Sequence, residues 1–375
     1  MAVSSRTEGG VSRRIVVIGG TGLFGGAAVE LLRAEGMAPL VAARSAARDG
    51  GSPSNLRLDA DAPAALRAAL LPGDIVLDAA GPFQERSAAL VETALEVGCD
   101  VVDLSDSLEH FLKIDALRGR IDAKGVRVLT SCSSVTTLLA ALVRASGAKE
   151  PARVSVYLSP ASKVTTTAGT GGSLRHSLGQ PIRILRGGKM VPARGWRESR
   201  PFLMPQPIGR ARGYLMESVH AATLPRIFPT LRDADFWVDS RVPGVNSLFR
   251  LLALAPALAA RVSRGMRRST WVARTLGSVA GGMLVEIEEA SGTVTQARVF
   301  APRRSYLAAV APAVLAVRAI ASGRFSERGL VPHDRQVDRD EMFGYLRRLG
   351  IECAFGVSTE PQGMQYDPRL KKEDP

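Results

Sequence analysis

Six consecutive residues near the amino terminus have the types and spacing of a phosphate-binding turn. The apolar run IVVI precedes them, and a helical pattern of apolar residues follows. In such a turn, glycine at the first, third and sixth positions permits a tight bend, close approach of the backbone to an anion, and close helix–strand packing. The first amide groups of the helix then face the anion. The pattern predicts a dinucleotide site at Gly20, Thr21, Gly22, Leu23, Phe24 and Gly25.

Two residues at the end of the next apolar run bear on which dinucleotide would bind. Proteins that select NAD usually place a carboxylate there, which binds the ribose 2′-hydroxyl. This chain has Arg44 and Ser45 instead. A guanidinium and a hydroxyl suit a 2′-phosphate, so the sequence predicts NADP as the cofactor in preference to NAD. The alternative is that Arg44 is a solvated charge at the end of a strand.

Later runs end in further candidate residues. Asp59 follows the third run, and Ala80, Gly81 and Pro82 follow the fourth, where small residues would let a flat cofactor lie against the backbone. Hydride transfer is the cofactor's own chemistry, so the protein must bind, orient and supply a proton. Asp106 is the candidate catalytic residue for that proton. It could instead cap the helix predicted over SLEHFLKI.

The elements that must position these residues alternate between strands and helices over residues 13–148. Six apolar runs separated by helical patterns predict an α/β fold, a doubly wound parallel Rossmann sheet with its ligand at the carboxyl ends of the strands. Residues 1–12 are predicted to be a disordered lead-in. Since they contain no apolar run of the kind found in signal peptides, a cytoplasmic location is expected, with or without membrane association.

A second mixed α/β domain with an antiparallel sheet is predicted over residues 149–302, for substrate binding and oligomerisation. Two hairpins are expected in it, turning at Gly187–Gly188 and at Ser291–Gly292. A glycine-rich stretch, residues 169–179, leads into a helix that could bind an anionic or carbonyl group of a substrate, or could be a linker and a surface helix. Residues 303–375 are predicted to be C-terminal helices that return to the first domain, followed by a tail.

The positive charge of the chain is concentrated in its second part. The net charge is +13, yet residues 1–150 hold 16 basic and 18 acidic residues. Residues 241–274 contain seven arginines and no acidic residue, and their apolar middle is too short to span a bilayer. The pattern is typical of a basic helix on an anionic membrane surface, or of helices packed on their own domain or on a homodimer mate. No nucleic-acid partner is expected, because aromatic residues do not interleave with the arginines.

Metal and disulfide chemistry are not expected. The three cysteines have no CxxC spacing and the four histidines are scattered, so neither a metal site nor a disulfide framework is predicted. The Tyr-x-x-x-Lys pair of short-chain dehydrogenases, which also have a glycine turn of this kind, is absent: none of the five tyrosines is followed by lysine four residues later.

Two stretches resemble the saccharopine dehydrogenase-like oxidoreductase superfamily. They are DAAGPFQERSAALVETALEVGCDVVDLSDS, residues 78–107, and LTSCSSVTTLLAALVRAS, residues 129–146. Members of the superfamily often read Ser-Ser-Val-Pro-Gly in the second stretch, where this chain has Thr136 and Thr137 in place of Pro-Gly. The resemblance implies an NAD(P)-binding fold with an inserted mixed domain and C-terminal helices that return to the first domain. Relatives include lysine-pathway enzymes and trans-acting enoyl reductases.

Together these observations predict an NADP-dependent oxidoreductase. It would transfer a hydride to a C=N or C=C bond of a small-molecule, lipid-linked or carrier-linked substrate. The alternative is a non-catalytic nucleotide-sensing or membrane-associated binding protein on the same fold, since fold does not by itself determine function.

Overall fold

The structure, a computed structural model, describes residues 13–44, 55–255 and 270–358. Several predicted features lie outside these residues: the lead-in, Ser45, the middle of the basic segment (256–269) and the end of the chain beyond residue 358. Strands and helices are numbered in chain order.

Within the described residues, seven parallel strands form the first sheet, in the order β15-β6-β5-β4-β1-β2-β3. All four residues of β1, and of β4 and β5, are buried, as expected of strands covered on both faces. The order of the first six strands is that of a doubly wound fold, which confirms the predicted Rossmann sheet. The strands are β1 (Ile15–Ile18), β2 (Leu40–Ala43), β3 (Asn55–Arg57), β4 (Ile75–Asp78), β5 (Asp100–Asp103), β6 (Arg127–Leu129) and β15 (Gly329–Leu330).

Helices cover both faces of this sheet. The helices of the first 150 residues are α1 (Leu23–Ala34), α2 (Pro63–Ala69), α3 (Ala89–Val97), α4 (Leu108–Asp115), α5 (Arg118–Lys124) and α6 (Leu139–Ala145). Helices α2 to α5 pack on one face of the sheet, together with Val16 and Ile18 of β1. Helices α1 and α6 pack on the other face, together with Ile15 and Val17. Side chains that alternate along β1 therefore enter two separate cores.

A second sheet of nine strands is mixed. Its main path is β10-β11-β12-β7-β13-β14-β16, and the β8–β9 hairpin joins it at β12. Both predicted hairpins are present, but β7 and β12 pair in parallel, so the sheet is not purely antiparallel as predicted. The strands are β7 (Pro151–Ser159), β8 (Pro181–Arg186), β9 (Lys189–Arg194), β10 (Ser199–Leu203), β11 (Arg210–Met216), β12 (Asp233–Val238), β13 (Gly281–Glu289), β14 (Val294–Ala301) and β16 (Glu352–Ser358).

The helices that accompany the second sheet lie between its strands in sequence. They are α7 (Ser162–Thr165), α8 (Ala168–Ser177), α9 (His220–Ile227), α10 (Val245–Leu254) and α11 (Thr270–Leu276). None of the helices in the described part of the chain combines the length and apolarity needed to cross a bilayer.

The C-terminal region joins the two sheets. Helix α12 (Leu307–Ala321) packs against α1, and its side chains share one core with Val156 of β7 and Val285 of β13. It is buried on almost every side, which suits a helix held between two layers. This region also adds β15 to the first sheet and β16 to the second, besides α13 (Arg339–Arg348). The prediction of helices alone therefore missed two strands.

Candidate functional site

The glycine turn lies between β1 and α1, at the carboxyl edge of the first sheet. The amide of Gly19 donates to the carbonyl of Ala42 at 2.8 Å, and the amide of Gly22 donates to the carbonyl of Gly19 at 2.9 Å. A Cβ at Gly25 would lie 2.6 Å from the carbonyl carbon of Gly19, so the helix can approach the turn this closely only with glycine there. The predicted packing role of Gly25 matches this geometry.

The tight bend belongs to Gly19 rather than to Gly20. Gly19 has a φ of +77°, whereas Gly20 does not have a positive φ. A Cβ at Gly19 would also lie 2.9 Å from the backbone of Ala79 and Ala80, so the turn and the loop after β4 are in direct contact. The sequence signal that could have found Gly19 is the three-residue spacing of Gly19, Gly22 and Gly25.

The turn leaves room and unpaired amides for an anion. No side chain caps α1 at Gly22, and its first turn contains no acidic residue. Thr21 and Gly22 are exposed, while Leu23 and Phe24 are half-buried. Among the described residues, a Cβ at Gly22 would meet only the carbonyl oxygen of Gly19, at 3.2 Å. An uncapped helix start below an open glycine cradle fits the pyrophosphate of a dinucleotide.

The residues after β2 and β3 lie along the same sheet edge. Arg44 is exposed and follows Ala42, the residue whose carbonyl accepts from the turn, by two positions. The structure therefore places Arg44 beside the glycine turn. Asp59 is also exposed, two residues beyond the end of β3, and its carboxylate accepts from the amide of Asp61 at 3.1 Å.

A buried arginine, to which the sequence had assigned no role, holds the loop after β4. Ala80, Gly81 and Pro82 form this loop and are half-buried. Arg86 donates to the carbonyl of Ala80 at 2.7 Å and forms an ion pair with Asp78 at 2.9 Å. The loop is thus fixed next to the glycine turn, where small residues leave space for a ligand.

Asp106, the candidate catalytic residue, is linked to helix α8 of the second region by hydrogen bonds. Gln84 donates to the Asp106 carboxylate at 3.4 Å, and the hydroxyl of Ser173, on α8, donates to the Gln84 side chain at 3.0 Å. Water reaches Asp106, but the protein atoms crowded around it raise the pKa of its carboxyl, and hydrogen bonds from its own amide, Gln84 and Ser173 oppose that rise only in part.

Asp106 is not the cap of the helix that follows it. Ser107 caps α4 instead, because its hydroxyl accepts from the amide of His110 at 3.2 Å. The interpretation of Asp106 as that cap is therefore wrong, and its carboxylate accepts instead from Gln84 in the loop after β4.

The glycine-rich stretch from residue 169 lies within α8 rather than before it. This helix begins after Thr167. The hydroxyl of Thr167 accepts from the amide of Thr170 at 3.3 Å and so caps the amino terminus of the helix. The helix contacts the loop after β4 through the bond from Ser173 to Gln84, whereas His176 is exposed.

The two threonines that replace Pro-Gly are buried and hydrogen-bonded. Thr136 donates to the carbonyl of Ser131, and Thr137 donates to the side chain of Gln336 at 2.6 Å. Gln336 in turn donates to the carbonyl of Thr130 at 3.0 Å. The C-terminal region therefore anchors the loop after β6, at the same edge of the sheet as the glycine turn.

Comparison with known proteins agrees with this geometry. Residues 15–129 match the family model described as saccharopine dehydrogenase NADP binding domain. This part of the chain is similar to that domain. It contains the glycine turn, Arg44, the loop after β4 and Asp106. The predicted resemblance to the superfamily is confirmed over these residues, and the match supports a nicotinamide cofactor.

Solved structures share the fold at low sequence identity. The chain is similar to the apo saccharopine dehydrogenase (L-Glu forming) of Saccharomyces cerevisiae, with 14% identity, a TM-score of 0.61, and coverage of 92% of this chain and 100% of that one. An amine dehydrogenase from Mycobacterium smegmatis has 12% identity, a TM-score of 0.49, and coverage of 87% and 96%. The first likeness shows the fold alone. No curated protein matches the sequence.

Proposed function

We propose that this protein is an NADP-dependent oxidoreductase that reduces a C=N or C=C bond of a small-molecule, lipid-linked or carrier-linked substrate. The observation that carries the proposal is the position of Asp106. An acid whose surroundings favour its protonated form lies at the same sheet edge as an open dinucleotide turn.

The chemistry divides between the cofactor and the chain. A nicotinamide supplies the hydride when bound. Gly22 and the start of α1 would hold the pyrophosphate, and Ala80 and Gly81 would leave space for the rest of the cofactor. Reduction of a C=N or C=C bond leaves a site that must gain a proton. Asp106 would donate it, since the protein atoms around its carboxyl raise its pKa above that of an ordinary aspartate.

The preference for NADP rests on Arg44. It is exposed at the end of β2, beside the turn, and carries the charge that a ribose 2′-phosphate would pair with. An exposed arginine at this position could contact the ribose end of the cofactor.

Titration calorimetry tests the cofactor site. We expect the parent to bind NADPH more tightly than NADH, and Arg44→Ala to lose roughly ten- to one-hundredfold in NADPH affinity, as for one charge-assisted hydrogen bond. Arg33→Ala is the matched control, since Arg33 is exposed at the far end of α1. Equal affinity of parent and Arg44→Ala for NADPH would contradict the assignment of Arg44.

Turnover tests the reaction itself. Oxidation of NADPH by cyclic imines or by enoyl thioesters would show which bond is reduced. Asp106→Asn should lower kcat and remove the fall in rate at high pH, while NADPH affinity stays unchanged. If NADPH binds but no imine or enoyl acceptor oxidises it, the protein is a nucleotide-binding sensor and the oxidoreductase proposal fails.

A further inference from the structure

One buried hydroxyl group, that of Ser162, contacts the residues just before helix α10 and just after helix α11. Ser162, at the start of α7, donates to the carbonyl of Arg241 at 3.2 Å and accepts from the amide of Ser278 at 3.1 Å. Arg241 precedes α10, and Ser278 follows α11. The packing at the return is close, since a Cβ at Gly277 would lie 2.7 Å from the amide nitrogen of Lys163. Both helices therefore extend from the same point on the molecule.

Helix α10 is apolar on its outer side as well as on its inner side. Phe249, Leu252 and Ala253 are buried in a cluster with Trp196 and Tyr214. The exposed face carries Leu248, Leu251 and Leu254, which are 47%, 63% and 61% exposed. A single exposed leucine is common on protein surfaces, but three exposed leucines on one face of a helix indicate an interaction site.

Helix α11 repeats the pattern. Trp271 and Leu276 are 66% and 57% exposed, while Ala273 is buried. The two largest exposures among the large apolar residues of the described chain, those of Trp271 and Leu251, thus occur on the two helices that Ser162 ties together. We call the exposed side chains of α10 and α11 the leucine–arginine surface; it comprises Leu248, Arg250, Leu251, Leu254, Trp271, Arg274 and Leu276.

The charges on the leucine–arginine surface are of one sign. Arg250 and Arg274 are exposed, and neither forms an ion pair with a described residue. Arginines elsewhere commonly do, for example Arg67 with Glu96 and Arg226 with Asp115. The sequence from residue 241 to 274 contains no acidic residue that could neutralise them.

We propose that the leucine–arginine surface docks on an anionic lipid bilayer. Exposed leucines and a tryptophan enter the boundary between headgroups and acyl chains, while the arginines pair with lipid phosphates. A second copy of this chain is a poorer occupant, because it would bring the same unpaired arginines face to face. This proposal is independent of the reaction proposed above.

Co-sedimentation with vesicles tests the charge requirement. We expect the full chain to pellet with vesicles that contain phosphatidylglycerol, to stay in solution with phosphatidylcholine alone, and to be released by salt. Arg250→Glu/Arg274→Glu should bind at least about tenfold more weakly. The matched control, Arg33→Glu/Arg347→Glu, makes the same change in net charge at exposed positions outside this surface and should bind like the parent. Equal loss in both pairs would overturn the proposal.

A second pair of variants tests the apolar contribution without changing charge. Leu251→Ser/Leu254→Ser should weaken vesicle binding, whereas Leu71→Ser, at a leucine 53% exposed on the first domain, should not. Unchanged NADPH affinity and unfolding temperature would show that the variants fold. If sedimentation velocity instead shows a dimer in the parent and a monomer in Leu251→Ser/Leu254→Ser, the surface is a self-association interface and the lipid proposal is wrong.

Discussion

The guanidinium of Arg86 and the carboxylate of Asp78 form a buried ion pair at 2.9 Å beneath the candidate cofactor loop. Asp78 also accepts from the amide of Ala80 at 2.9 Å, and Arg86 donates to the carbonyl of the same residue. A further ion pair links Arg86 to Asp61 at 2.8 Å, in the loop after β3. One arginine thus holds two loops at the carboxyl edge of the sheet in a fixed relation.

Arg86→Met should be strongly destabilising. It would leave the Asp78 carboxylate buried without an opposing charge, which typically costs about 3–5 kcal/mol of the free energy of unfolding. Arg67→Met is the matched control, since its pair with Glu96 is about half exposed and screened by water, so its loss should destabilise the protein far less. Urea unfolding of both variants measures the difference. Similar small losses would mean that the buried pair adds no more than the exposed one.

Gly25→Ala should abolish or greatly weaken NADPH binding. The added methyl group would lie 2.6 Å from a backbone carbon of the turn, so the helix or the turn must move. Gly26→Ala is the control at the adjacent position, where the nearest atom would be 3.5 Å away, an ordinary contact. Calorimetric titration of both variants with NADPH checks this. Equal binding by the two would show that the turn tolerates displacement at Gly25.

Thr137→Val should lower the free energy of unfolding by about 1–3 kcal/mol. The variant keeps the shape of the side chain but leaves the buried side-chain oxygen of Gln336 without its donor. Thr165→Val should cost less, because the Ala161 carbonyl that its hydroxyl contacts also accepts from backbone amides. Chemical denaturation compares them. A loss at Thr137 no larger than that at Thr165 would argue that the C-terminal region anchors this loop by packing alone.

Asp106→Asn should stabilise the protein near neutral pH. The pKa of Asp106 is raised above its ordinary value of 3.8 on folding, mainly by desolvation, so the folded chain retains the proton at higher pH than the unfolded chain does. The contribution of the protonated group to stability is full below pH 3.8 and is lost as pH rises through the folded pKa. Asparagine does not titrate, so the stability of the variant does not fall with pH in this way.

Unfolding free energies measured from acid to neutral pH test that sign. The difference between Asp106→Asn and the parent should grow as pH rises through the raised pKa of Asp106. A constant difference for Asp106→Asn would mean that its carboxyl titrates alike in both states. Stabilisation by removal of a carboxylate is an expected result at a functional site, where function and stability compete.

The first sheet could be predicted because each of its strands has a recognisable pattern in the local sequence. Strands covered on both faces, such as β1 and β4, are continuous apolar runs, and their alternation with helices implies parallel pairing. The second sheet was less accessible. Its hairpins follow from turn residues, but the parallel pairing of β7 with β12 joins segments far apart in sequence, which no local pattern encodes.

Details of the site divide in the same way. The sequence located the turn, but the positive φ of Gly19 depends on how β1, β2 and the loop after β4 meet. Likewise, Ser and Asp are both good helix caps, so the backbone path alone decides that Ser107 caps α4 and that Asp106 does not.

The sequence by itself determined the Rossmann sheet, the glycine turn and the resemblance to the saccharopine dehydrogenase superfamily, since each depends on residues close together in the chain. The tertiary structure decided what surrounds the site: Ser173 beside Gln84 and Asp106, and Gln336 beneath Thr137, 199 residues away. Such contacts arise from the packing of whole elements. The pKa of a residue and its hydrogen bonds depend on its burial and on its neighbours. When those neighbours are distant in sequence, they are known only from the tertiary structure.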